Sequence, residues 1–139
     1  MRVVIDTSVL VAGVRSRRGA SFQVLSRIGT GDFDIAVSVP LVLEYEDVLL
    51  RHMPATSLKE TDVHDIIDYV CSVATRQEIF FLWRPQLRDP GDDLVLELAV
   101  AADCDTIVTH NLRDFGGADR FGIRVVNPGT FLNELRSLK

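Results

Sequence analysis

Cysteine is scarce in this chain, with only Cys71 and Cys104 among 139 residues. Neither sits at metal-ligand spacing, and both fall in apolar helical stretches. A disulfide framework and a thiolate metal centre are therefore excluded, and buried, reduced thiols in a cytoplasmic protein are the expectation. Long apolar runs are also missing. No window approaches the ~20 residues that span a bilayer, and a lone Arg2 before a short apolar strand does not make a secretory leader. No glycine-rich phosphate loop is present, since Gly13 and Gly19 stand alone, which removes the P-loop and dinucleotide-binding classes. Positive charge is in deficit, with 15 Lys and Arg against 20 Asp and Glu and a net charge of −5. That opposes nucleic-acid binding unless metal ions cancel part of the acid and basic residues concentrate locally. Arg15-Ser16-Arg17-Arg18-Gly19 is one such concentration. It reads equally as an RNA-guiding segment or as a solvated loop between two helices.

What the chain does have is alternation. Residues 1–139 suit a single domain, 47% apolar and long enough to bury on the order of 70% of its unfolded surface. Strand-like runs at Val3 to Ile5, Phe33 to Ser38, Glu78 to Leu82, Asp105 to Thr109 and Arg124 to Val126 alternate with helical patterns. The helices are predicted over Ser8 to Val14, Ala20 to Ile28, Pro40 to about His52, and from a Ser57/Glu60 capping box through Ala74. Two more run from the Asp89-Pro90 turn to about Ala102 and from Asn127-Pro128 onward. Short apolar strands separated by helices imply a mostly parallel sheet covered on both faces. In such sheets chemistry collects beyond the carboxyl ends of the strands.

Acidic residues fall at those ends. Asp6 closes the run Arg2-Val3-Val4-Ile5. Its Asp-Thr-Ser sequence suits a helix N-cap, a role compatible with metal binding because a carboxylate has two oxygens. Glu44 borders the apolar stripe of Leu41, Tyr45, Val48 and Leu49. A carboxylate there must be paired, protonated or bound to a cation. Asp89 and Asp92 are explained by capping and by the helix dipole, which leaves Asp93 at the start of a helix apolar nearly all round. Glu97 follows one turn later, as a further acid of the site or the partner of an arginine. Asp114 ends the segment Thr109-His110-Asn111-Leu112-Arg113-Asp114, where turn formation is the plainer role of Asn111 and Asp114. A lone loop histidine such as His110 does not by itself make a ligand. Gathered together, Asp6, Glu44, Asp93 and Asp114 would form an oxygen-donor cluster for Mg²⁺ or Mn²⁺.

These segments, in this order, resemble the PIN-domain family of metal-dependent ribonucleases over essentially the whole chain. The carriers are Val-Ile-Asp-Thr-Ser-Val-Leu, Leu-Val-Leu-Glu-Tyr-Glu-Asp-Val-Leu, Arg-Asp-Pro-Gly-Asp-Asp and Ile-Val-Thr-His-Asn-Leu-Arg-Asp-Phe. The nearest branch is the VapC type, the toxin of toxin–antitoxin pairs. The resemblance implies a three-layer α/β/α sandwich with a parallel sheet of four or five strands. It also implies a homodimer, an antitoxin protein that blocks the site, and an RNA substrate. It carries the acidic quartet to Asp6, Glu44, Asp93 and Asp114, with Asp92 a close competitor of Asp93. Thr7, Ser8, Thr109 and Asn111 are supporting residues, and Arg15, Arg17 and Arg18 would guide the RNA. The chain departs from many relatives in having His110 and Asn111 where an acid follows the strand. A haloacid-dehalogenase-like enzyme would need a second aspartate two residues after Asp6, where Ser8 stands. The rival from another class is a PIN-like module that binds protein or RNA without cleaving it.

Overall fold

Arg2–Ile5 is short and apolar, and its Val3, Val4 and Ile5 are all buried, as a central strand requires. The computed structural model describes residues 1–79, 87 and 89–138. In it this segment, β1, lies at the middle of a five-stranded sheet with β2 (Asp34–Val37), β3 (Thr75–Arg76), β4 (Thr106–Val108) and β5 (Arg124–Val126). The strand order is β3-β2-β1-β4-β5 and every described pairing is parallel. On one side of β1, Val3 pairs with Ile35. On the other, Val3, Val4 and Ile5 pair with Thr106, Ile107 and Val108.

The helices are α1 (Thr7–Arg15), α2 (Ala20–Ser26), α3 (Val39–His52), α4 (Glu60–Val73), α5 (Pro90–Ala101) and α6 (Pro128–Ser137). The chain steps outward from β1 to β2 and β3, then returns through α5 to β4 on the other side of β1. Right-handed crossovers running in opposite directions place their helices on opposite faces. The result is the α/β/α sandwich expected from the alternation. It also makes the β1/β4 boundary a topological switch point, where an open parallel sheet leaves a crevice at its carboxyl edge.

Local chemistry explains most helix boundaries. Ser38 Oγ accepts from Leu41 N (3.3 Å) and Pro40 sits in the first turn of α3. Asp89 Oδ1 accepts from Gly91 N (2.7 Å) and starts α5. Asn127 Oδ1 accepts from Thr130 N (2.7 Å) and starts α6. Two expectations shift. The box expected at Ser57 and Glu60 forms two residues later, where Lys59 N donates to Asp62 Oδ2 (2.8 Å). The reason is Thr56, whose Oγ1 accepts from Leu58 N (3.2 Å) and holds a turn in place of a helical start. The edge strand is Thr75–Arg76 rather than Glu78 to Leu82. Glu78 and Ile79 are irregular, and positions 80–82 lie outside the described residues.

The core runs from the sheet into α3, α5 and α6. Phe131 on α6 is fully buried and meets Phe33 edge to face, with ring centroids 5.0 Å apart and planes at 81°. Cys104 is buried and Cys71 partly so, and both are free thiols. No helix among the described residues is long and apolar enough to cross a membrane. Replacing Phe131 with Ala removes a large side chain that the surrounding layers cannot collapse around. The expected loss is ~3–5 kcal/mol of folding free energy, measured by urea denaturation.

Candidate metal centre at the carboxyl edge of the sheet

Asp6 follows β1 immediately and occupies the N-cap position of α1, yet its side chain makes no capping bond. Its Oδ2 instead accepts two hydroxyls, Ser8 Oγ at 2.7 Å and Thr109 Oγ1 at 2.7 Å. Thr109 is fully buried at the end of β4, so this bond ties the two strands at the switch point. The hydroxyls are oriented in turn by backbone donors. His110 N reaches Ser8 Oγ (3.2 Å) and Asn111 N reaches Thr109 Oγ1 (3.0 Å). Asp6 itself is 6% exposed, so without these donors its charge would be costly to bury.

Glu44 arrives from α3. Leu41, Tyr45 and Leu49 bury one face of that helix, and Glu44 beside them is half-buried. Thr7 Oγ1 donates to Glu44 Oε2 (3.0 Å), linking α3 to the residue after Asp6. Across the crevice, the start of α5 comes so close that a Cβ at Gly91 would lie 2.7 Å from Glu44 Oε1. A side chain there would make the flexible end of Glu44 shift. The Tyr45 hydroxyl donates to the Ile5 carbonyl, fastening the same helix to the end of β1.

The first turn of α5 presents two adjacent aspartates with different partners. Asp93 Oδ1 accepts from Leu87 N (3.0 Å), so it secures the chain leading into the helix. Asp92 is the carboxyl on which the other acids act. Burial first, then the charges of Asp114, Asp6, Asp89 and Glu44, push it from its ordinary 3.8 up to about 7. Glu44 is raised too. Burial is the main cause, with Asp6 and Asp89 adding and the Thr7 hydrogen bond opposing. Asp114 is exposed in a 3₁₀ turn (Leu112–Phe115), its N–H bonded to Asn111 O at 3.0 Å. Sequence spacing favoured Asp93 as the third member of the quartet, whereas the mutual repulsion converges on Asp92.

The supporting residues divide. Thr7, Ser8 and Thr109 hold acids directly through hydroxyls, while Asn111 contributes its backbone and leaves its side chain exposed. Glu97 is buried on α5 and engaged there. The His110 ring turns toward α2, sharing a hydrogen bond with buried Ser21 Oγ (2.5 Å). Arg15, Arg17 and Arg18 are exposed around the α1–α2 connection and form no ion pair with the described residues. Tyr45, Asp89 and Gly91 act at the site although they did not stand out as functional in the sequence. Tyr45 looked like a core stripe residue, Asp89 like a cap and Gly91 like a turn.

Among the described residues, Asp6, Glu44, Asp92, Thr7, Ser8 and Thr109 offer oxygen donors to the crevice, which suits a hard divalent cation. Beyond burial, Asp114, Asp6, Asp89 and Glu44 raise the protonation of Asp92, and Asp6 and Asp89 raise that of Glu44, and neutralisation by a cation would relieve both. The residues fit such an ion chemically. As they stand, no three His, Cys, Asp or Glu side chains among the described residues are grouped to hold one together. The carboxylates would therefore have to draw in around it.

A family model described as the PIN domain matches residues 2–113. The chain belongs to the PIN domain family. The matched stretch of the PIN domain contains Asp6, Glu44, Asp92, Asp93 and Thr109 and ends one residue before Asp114. Among solved structures, the chain is similar to a chain of VapBC2 from Rickettsia felis, crystallised bound to a DNA fragment from their promoter. The TM-score is 0.61 and the identity 18%, over 91% of this chain and 98% of that one. At that identity the likeness speaks for a shared PIN fold. No curated protein matches the chain.

A pH dependence follows from the crowding in the metal-free protein. Between about 4 and 7 an unfolded chain has lost the Asp92 proton while the folded chain keeps it. The folded state then binds more protons, so stability falls as pH rises through that window, and Glu44 acts in the same direction. With solvent screening of this partly exposed group, the melting temperature in EDTA should be ~4 °C lower at pH 8 than at pH 5. An Asp92→Asn variant should lose most of that difference.

Proposed function

We propose that this PIN domain is a divalent-metal-dependent endoribonuclease, the toxin of a toxin–antitoxin pair, with Mg²⁺ or Mn²⁺ as its cofactor. The observation that supports this reading is the mutual field of four acids from the end of β1, α3, α5 and the turn after β4, two of which, Asp6 and Glu44, are held by hydroxyls. Asp6 and Asp92 are the proposed direct ligands. Glu44 and Asp114 complete the set, and Asp93 serves as the anchor of the segment before α5. A bound ion would polarise a water for attack on an RNA phosphodiester and offset the charge that develops on phosphate oxygens.

The chain's own groups have distinct tasks in this reaction. Ser8 and Thr109 keep the Asp6 carboxylate oriented while both use the same oxygen, Oδ2. Thr7 does the same for Glu44 through Oε2. Glu44, with its raised proton affinity, is the base best placed to take a proton from the attacking water. Arg15, Arg17 and Arg18, exposed and without an ion pair among the described residues, supply local positive charge for the RNA backbone that the net charge of −5 denies elsewhere. The solved likeness to a VapBC2 chain supports an antitoxin partner. Val39 and Leu43, exposed on α3, support a homodimer. A cytoplasmic location accords with free thiols and an RNA substrate.

The second reading, a PIN module that binds without cleaving, draws on the spacing of the acids, which are not grouped for an ion as they stand. Cleavage of a labelled mixed RNA pool separates the two. Activity should need Mn²⁺ or Mg²⁺ and stop with EDTA. Asp6→Asn and Asp92→Asn should each lower the rate by ~100-fold or more, a barrier increase of ~2.7 kcal/mol. Asp93→Asn retains an oxygen for Leu87 N and should stay within ~3-fold of wild type. Equal loss in the Asp92 and Asp93 variants would return Asp93 to the ligand set. A folded protein that leaves RNA intact at every metal concentration would favour the binding module.

A further inference from the structure

The peptide group between Ile5 and Asp6 is held from both sides of the sheet. Its N–H, on Asp6, donates to Val108 O of β4 at 2.9 Å. Its carbonyl, on Ile5, accepts the Tyr45 hydroxyl of α3. The registered β1–β2 pairs are Arg2 with Asp34 and Val3 with Ile35, which stop short of Ile5. The phenol thus serves the carbonyl where the strand ladder has run out. The two clamps come from the elements that bear the rest of the crevice. Glu44 is the neighbour of Tyr45 on α3, and Thr109 is the neighbour of Val108 after β4. Tyr45 is 3% exposed, so water does not compete for its hydroxyl.

Resting on the reading of the crevice as a divalent-metal site, we infer that Tyr45 is a positioning residue that sets the spacing of the Asp6 and Glu44 carboxylates. The hydroxyl touches neither metal nor substrate. It fixes the peptide plane from which Asp6 projects relative to the helix from which Glu44 projects. Removing it leaves both ligands present but lets α3 and β1 find their separation through apolar packing alone. That packing is less directional than a hydrogen bond. An ion that must draw separated carboxylates together then meets a less defined pair, and its affinity drops.

The chain supplies its own control. Its two tyrosines are Tyr45 and Tyr69, and Tyr69, on α4, also donates to a backbone carbonyl, Ile28 O just after α2 at 3.0 Å, between elements that carry none of the crevice acids. The test is a thermal-shift titration of the EDTA-treated protein with Mn²⁺ alone, for wild type, Tyr45→Phe and Tyr69→Phe. Both substitutions keep the ring and should lower the metal-free melting temperature slightly. Only Tyr45→Phe should raise the Mn²⁺ concentration for half-maximal stabilisation, by about fivefold, the scale of one lost hydrogen bond. Equal midpoints for wild type and Tyr45→Phe would overturn the inference. So would a Tyr69→Phe midpoint displaced by the same amount. A wild-type protein that shows no Mn²⁺ response overturns the metal reading itself, and this inference with it, before any variant is compared. If Tyr45→Phe does not fold, 3-fluorotyrosine incorporated into Tyr69→Phe labels position 45 alone and changes the donor strength of its phenol. A Mn²⁺ midpoint unmoved by the fluorine would then count against Tyr45.

Discussion

Like charge gathered at a topological switch point is the constraint on which this structure turns. Parallel strands that leave β1 in both directions open a crevice at their carboxyl edge, and the chain fills it with acids. A helix N-terminus favours an anion by only ~0.3–1 kcal/mol. Asp92 has that advantage in the first turn of α5, yet burial and four neighbouring carboxylates still drive its proton affinity upward. Local helix electrostatics therefore lose to crowding. Among the described residues the cation that acts on Glu44 is Arg51, only weakly, and its guanidinium lies 3.1 Å from Asp47 instead. The fold tolerates repulsion here that an ordinary core would remove, a pattern expected where function sets the residues and stability is given up.

The choice of hydroxyls as partners has a chemical consequence. An arginine beside Asp6 would neutralise it, but its five donors would compete for both carboxylate oxygens and its charge would repel a second cation. Ser8 and Thr109 donate one hydrogen each, both to Oδ2. They hold that oxygen in place without adding charge to the crevice. Thr7 treats Glu44 in the same way. Asp6 and Glu44 are thus oriented by neutral partners that add no positive charge of their own.

Much of the fold was legible because its signals are local. Prolines in first turns and Asx caps at Asp89 and Asn127 mark helix starts, and fully apolar triplets such as Val3-Val4-Ile5 mark strands buried on both faces. What escaped was decided elsewhere. A two-residue strand such as Thr75–Arg76 carries no periodicity, and it forms because the edge of β2 offers partners. The start of α4 moved because one hydroxyl, on Thr56, held a turn. Asp6 suits a cap and Asp114 a turn, and Glu44 borders an apolar stripe, so these acids became candidates only through their order along the chain. Asp92 and Asp93 could not be told apart, since consecutive helical residues point ~100° apart and only tertiary contacts say which direction is the crevice. Those contacts are Leu87 N on one side and the field of Asp6, Glu44 and Asp114 on the other.

The spacing of the acids then bears on how tightly an ion can be held. Side chains not grouped around a common point must close a gap on binding, and closing it costs conformational freedom and backbone movement. Each element that carries an acid is therefore better rigid than mobile. Asp6 is fixed through β4 by Val108 and Thr109, α3 is fixed to β1 by Tyr45, and the start of α5 is fixed by Asp89 and Asp93. With the backbone held at each of these points, the remaining adjustment falls on a few side-chain torsions of Glu44, Asp92 and Asp114. A glycine at position 91 leaves room for it, because any larger residue would press on the Glu44 carboxylate from the α5 side. Rigid elements with a small free volume between their acids are what would let repulsion in an empty site become affinity for the proposed ion.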